Sequence, residues 1–167
     1  MPVPDPTLLL RLSRAMQAHQ AGDLDAAEVG YRQVLEGFPD QPDAWCNLAE
    51  VLRLRRRGTE ALTAARRAVD LTPEAPLALR GLGLALADQG LMTEALIPLE
   101  RAAALAPREP VVLSALADLH HRLDDDEAAL SWHRAARACR PDHPLLRLNE
   151  AYGLLRLGCL DAAEVLL

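Results

Sequence analysis

Residues 39–76 read PDQPDAWCNLAEVLRLRRRGTEALTAARRAVDLTPEAP, a segment that opens and closes on Pro-x-x-Pro. Pro39 and Pro73 stand 34 residues apart, and Pro107 and Pro141 continue the series. The second prolines, Pro42, Pro76, Pro110 and Pro144, keep the same step, as do Ala27, Ala61, Ala95, Ala129 and Ala163. Proline lacks a backbone N–H and its ring clashes with the preceding turn, so it ends a helix, yet a first helical turn accommodates it. In each pair the first proline closes one helix and the second opens another.

A second break lies midway between the proline pairs. It falls at Gly22-Asp23, Gly58-Thr59, Gly90-Leu91 with Thr93, Asp124-Asp125-Asp126, and Gly158 with Asp161. Glycine, or an Asx or Thr cap, stops one helix there and starts the next. The unit is helix, tight turn, helix, proline turn, and a fixed period of this size marks a repeat array. The fold class expected is all-α, an α-solenoid of antiparallel helix pairs. Helices are predicted near 7–20 and 24–37, 42–56 and 59–71, 76–89 and 93–105, 110–123 and 127–139, then 144–157 and a short one from Asp161. Residues 1–7 form a proline-rich N-terminal lead. The array covers 8–167, in repeats of about 8–41, 42–75, 76–109, 110–143 and a truncated 144–167.

Within the units, Trp45, Leu48, Ala49, Leu52, Ala61, Ala68 and Pro73 find counterparts in Leu79, Leu82, Gly83, Leu86, Ala95, Ala102 and Pro107. Leu113, Leu116, Ala117, Ala129, Ala136 and Pro141 repeat them again. This pattern resembles the tetratricopeptide repeat, over almost the whole chain. The resemblance implies helix pairs (A and B) stacked in a right-handed superhelix. Four departures stand out. Gly58 comes two places late, so Arg56 and Arg57 occupy the usual turn. Pro98 lies inside a B helix and predicts a kink. Asp124 to Asp126 replace a glycine turn, and Glu150 stands where a core leucine is expected.

Composition narrows the function. Half the residues are hydrophobic but only 3% are aromatic, so alanine and leucine do the packing. The net charge is −6 and all 18 basic residues are arginine, a balance that argues against nucleic acid. No apolar run is long enough to span a membrane. The start of the chain lacks a basic n-region and an apolar h-region, and the expected location is cytoplasmic. Cys46, Cys139 and Cys159 are odd in number and lack CxxC spacing, which reads as small packed thiols rather than a disulfide or zinc framework. The apolar Val165-Leu166-Leu167 reads as a fragment of a longer protein, or as an open end offering self-association.

Residues able to carry chemistry are few. His120 and His133 fall at packing positions of the repeat and are expected near one another, without ligands to complete a metal site. Asp124 to Glu127 lack the spacing of a calcium loop and read as helix caps. Arg53, Arg55, Arg56 and Arg57 read as a solvated helix end, with an acidic partner as the functional alternative. No nucleophile motif or phosphate-binding glycine loop is present, so no enzyme, cofactor or metal is expected.

The resemblance implies a surface instead. In the family, the A helices line a concave groove. Carried over by repeat phase, the groove residues are Asp43, Asn47, Glu50 and Arg53, then Arg80, Leu84 and Asp88. Ser114, Asp118, His121 and Arg122 follow, and Asn149, Tyr152 and Arg156 complete the set. The expected function is a non-catalytic protein–protein interaction scaffold holding a peptide or helix of a partner. The family's clamp for acidic chaperone tails, read in frame, gives Leu12, Met16, Asn47, Leu77 and Gly81, and only Asn47 matches. The alternative is the N-terminal repeat region of a larger bacterial enzyme such as a repeat-containing glycosyltransferase, whose last repeat Asn149-Glu150-Ala151 with Leu154 resembles.

Overall fold

Each proline pair does what its chemistry dictates. The computed structural model describes residues 5–167. These form ten helices and no strand: α1 (Pro6–Gln20), α2 (Leu24–Gly37), α3 (Pro42–Leu54), α4 (Gly58–Leu71), α5 (Pro76–Asp88), α6 (Met92–Leu105), α7 (Pro110–Arg122), α8 (Asp126–Cys139), α9 (Pro144–Arg156) and α10 (Leu160–Glu164). Every odd-numbered helix begins on a proline. The first of them corrects the expected lead. Asp5 accepts the Thr7 N–H at 2.7 Å and caps α1, which starts at Pro6. Residues 1–4 of that lead lie outside the described residues.

The turns inside each pair recur at a strict 34-residue step. Gly22, Arg56, Gly90, Asp124 and Gly158 all take positive φ, between 59° and 82°. In the second pair, then, Arg56 fills the left-handed position, and Gly58 is already the first residue of α4. A Cβ on Gly58 would lie 1.9 Å from the amide end of the exposed Gln89 side chain of the next repeat, which is free to swing aside. Capping also differs from expectation. Asp23 and Asp125 accept the N–H groups of Ala26 and Ala128, whereas the N-cap residues of α4, α6 and α10 are Arg57, Leu91 and Cys159 and make no side-chain cap. α6 runs through Pro98, which lies buried inside the helix as the sequence placed it.

Consecutive helices pack as antiparallel pairs. α3 also lies against α5, and α5 against α7, while α2, α4, α6 and α8 do not pack comparably on one another. Helices drawn together on one side and splayed on the other generate curvature, so the odd-numbered set lines the concave face. Within each pair the contact rests on alanine: Ala27, Ala61, Ala95, Ala129 and Ala163 are all fully buried. Opposite Ala95, a Cβ on Gly83 would sit 2.5 Å from Leu99 and 3.2 Å from the Ala95 carbonyl.

Buried charge locks the first two repeats. Glu28, only 4% exposed, pairs with Arg32 at 2.7 Å and Arg57 at 2.5 Å, and also with Arg55. Arg55 further meets Asp25, and Arg57 meets Glu60. An isolated buried carboxylate is strongly unfavourable, and three guanidinium groups offset that cost. The arginine run at 53–57 is thus largely committed inside the molecule and is not a free solvated end. Glu150 is the parallel case. It occupies its expected core position, 5% exposed, bonded to Arg137 and 3.5 Å from Arg134.

Ala95→Leu should overpack the contact between α5 and α6 and destabilise the protein by about 1–3 kcal/mol. Urea unfolding followed by circular dichroism reads the change, and an unaltered midpoint would place the contact elsewhere.

Candidate functional site

The concave wall is built from the exposed flanks of α3, α5, α7 and α9. On α3, Asp43 is exposed, and half-buried Asn47 borders a cavity with Met16, His19 and Tyr31. Arg53 binds Glu50 of its own helix at 3.0 Å and reaches Asp88 of α5 at 3.1 Å. Asp88 in turn meets Arg122 of α7 at 3.4 Å, and Arg122 donates to the Ala87 carbonyl. Glu50, Arg53, Asp88 and Arg122 therefore form one continuous ladder across three repeats, two acids against two bases. Burial works against the Glu50 carboxylate, but the Arg53 hydrogen bond and charge outweigh it and hold the group below its usual range.

Between the ladder and the proline turns lies a different set. Arg80 on α5 and Ser114 on α7 hold the same place in successive repeats. Arg80 Nε and Ser114 Oγ are both buried without a protein partner. The charge of Arg80 reaches Cys46 and Glu50 on α3. One turn beyond Ser114, desolvation raises the Asp118 carboxyl, with the charges of His121 and Arg122 acting in the other direction. Cys46 lies behind this wall, and its burial pushes the thiol to about 11, which makes it an unreactive packing group. Asn149 is half-buried on α9.

Besides the ladder members, two of the expected groove residues turn into the body of the molecule. Leu84 packs against the central core cluster. His121 is only 9% exposed, because its side chain turns into the junction of α7, α8 and α9. There its ring centroid lies 5.3 Å from His133 and 5.4 Å, edge-on, from Tyr152. Its Nδ1 is 2.7 Å from Asp126, which also meets Arg156 at 2.9 Å. His121, not His120, is thus the neighbour of His133; His120 stands beside Asp125 at 3.3 Å. The residue the sequence did not bring forward is Glu28, and Asp126, read there as a helix cap, also binds His121 and Arg156. An acidic residue in phase with core positions was the only available signal for Glu28. Among the described residues no three His, Cys, Asp or Glu side chains are grouped to hold a metal, and no helix is long and apolar enough to cross a membrane.

A family model described as tetratricopeptide repeat matches residues 12–76 and 55–110, which together span most of the first three helix pairs and reach α7. The chain belongs to the tetratricopeptide repeat family. Solved structures agree over nearly its whole length. A thermophilic tetratricopeptide repeat protein from Thermus thermophilus matches with a TM-score of 0.86 and 23% identity, covering 95% of this chain and 87% of that one. Pseudomonas aeruginosa pilF matches at 0.81 and 21%, covering 95% and 72%. An O-GlcNAc transferase mutant from Thermobaculum terrenum matches at 0.72 and 28%, covering 80% of this chain but 27% of the transferase. No curated protein matches the chain in sequence. As a tetratricopeptide repeat solenoid, the protein has the architecture of a protein-interaction scaffold.

The histidine junction makes stability depend on pH. Burial lowers the pKa of His133 to about 4; the His121 charge adds to the effect and Glu150 opposes it. The unfolded chain takes up this proton first, so stability is intact above about 6.5 and declines as pH falls toward 4, by at most about 3 kcal/mol. His133→Leu installs the residue that Leu99 provides at the same place in the preceding repeat. Urea midpoints between pH 7 and 4.5 should fall less steeply for this variant than for the wild type; equal slopes would exclude His133 as the source.

Proposed function

We propose that the protein is a non-catalytic scaffold that holds a peptide or helix of a partner protein in its concave groove. The observation supporting this reading is the pair of unpartnered donors on the groove wall, Arg80 Nε and Ser114 Oγ. A buried polar group left without a partner costs about 1–3 kcal/mol, and a ligand's carbonyl or carboxylate would satisfy both groups. The ionic ladder is a poorer ligand-binding surface, since each of its charges already has a partner. Recognition is therefore assigned to Asn47, Arg80, Ser114 and Asp118, with Asn149 and the exposed Tyr152 extending the surface into the last repeat. Asn47 can donate to and accept from a peptide backbone, and the Arg80 fork suits a carboxylate.

A second reading is a recognition region within a larger bacterial enzyme. It is favoured by the 28% identity to the Thermobaculum transferase, of which the matched part is about a quarter. A reading frame continuing beyond Leu167 into a glycosyltransferase domain would support it, and one encoding further repeats or a stop would support the scaffold.

The groove is tested with Asn47→Ala/Arg80→Ala against a convex-face control, Arg66→Ala/Arg67→Ala, in a pull-down from source lysate followed by titration of the recovered partner. The groove variant should bind more weakly by over about 1 kcal/mol while its melting temperature stays close to that of the wild type. Loss of the partner by the control alone would move the binding surface to the outer face.

A further inference from the structure

On the convex side, away from the groove, a cleft of about 450 Å³ opens between α2 and α4 above α3. Leu35, Trp45, Leu48, Leu52 and Ala64 form its apolar lining. The Trp45 indole is fixed as a wall, its Nε1–H donating to the Pro39 carbonyl at 2.7 Å.

One small side chain leaves this cleft open. Position 64 shares its repeat phase with Pro98 and Trp132. In α8, Trp132 packs against the core cluster that contains Ala103, Leu113 and Leu116. Those three residues are the counterparts, two repeats on, of Leu35, Trp45 and Leu48. By repeat phase, repeat four places an aromatic ring at the position where repeat two has only the methyl group of Ala64 beside the cleft. The molecule itself shows which chemistry fits the seat.

The rim sets the charge of an occupant. Arg32 is held by Glu28 at 2.7 Å and by Glu60 at 3.0 Å, and Glu60 is also held by Arg57. Glu36 is the remaining charge on the lining. It is exposed, and among the described residues it forms no ion pair, although Arg11 lines the adjoining cavity with it. An uncompensated carboxylate beside an aromatic seat suits a cation next to the inserted ring.

We propose that this cleft is a second protein-binding site, which takes an aromatic side chain of a partner with a basic residue beside it. It is separate from the concave groove and does not depend on the groove's function.

The test uses the full chain, labelled with nitrogen-15, and two probe peptides at millimolar concentration, acetyl-Gly-Trp-Arg-Gly-amide and acetyl-Gly-Trp-Glu-Gly-amide. The arginine peptide should shift the Trp45 Nε1–H and the amides of Leu35, Leu48 and Ala64 saturably. The glutamate peptide should bind about threefold more weakly, the size expected of a rim charge. Glu36→Gln, a surface change, should make the two peptides equal, and Ala64→Trp should remove both shifts by filling the seat from within. The Asn47→Ala/Arg80→Ala variant should bind the peptides as the wild type does. Absence of saturable shifts at these residues would overturn the proposal. So would peptide binding by a folded Ala64→Trp variant, or an arginine preference that survives Glu36→Gln.

Discussion

The close approach of two helices at a buried alanine is the contact on which the molecule depends. At Ala27, Ala61, Ala95, Ala129 and Ala163 no surface remains exposed. A larger side chain at any of them would push apart the two helices that bury each other's apolar faces. Because the same contact recurs at every repeat, it sets the thickness of the helical pair, around which larger residues such as Leu99, Leu113 and Leu116 fill the core. Stability in such an array is close to a sum of local units and their interfaces.

Electrostatics divide the surface into spent and available charge. The Glu28 cluster and the ladder from Glu50 to Arg122 both cross repeat boundaries, and each neutralises its members internally. Their work is to fix the stacking of neighbouring repeats. What remains for recognition is sparser: two unbonded donors on the concave wall, a desolvated Asp118, and an unpaired Glu36 at an aromatic-lined cleft on the other side. A charged residue in a solenoid groove is thus informative about a ligand only after its intramolecular partners have been counted.

The fourth and fifth repeats meet through a less usual core. His133 stands where Leu99 stands one repeat earlier, and Glu150 where a leucine belongs. Both are tolerated because they have company: His121, itself edge-on to Tyr152, beside the His133 imidazole, and Arg134 and Arg137 around the Glu150 carboxyl group. Gly153 keeps this junction close, since a Cβ there would lie 3.3 Å from Leu130 and 3.5 Å from His133. Acid should therefore weaken this boundary before those between the earlier repeats.

The sequence by itself determined the period, the helix pairs, the proline starts and the buried alanines. Each of these rests on a local property, a missing N–H, a missing side chain or a repeated apolar phase, which reads the same before and after folding. It also indicated which helices would line the groove, through the family resemblance. Tertiary structure decided which of the groove residues are free. Arg53 and Asp88 are 35 residues apart and His121 and Tyr152 are 31 apart in the chain, and only stacking brings their side chains together. The same holds for Arg56 in place of a glycine, whose φ of 61° is imposed by the helices on either side. It holds also for the cleft beside Ala64, since an empty seat is a relation among three helices and no single stretch of sequence contains it.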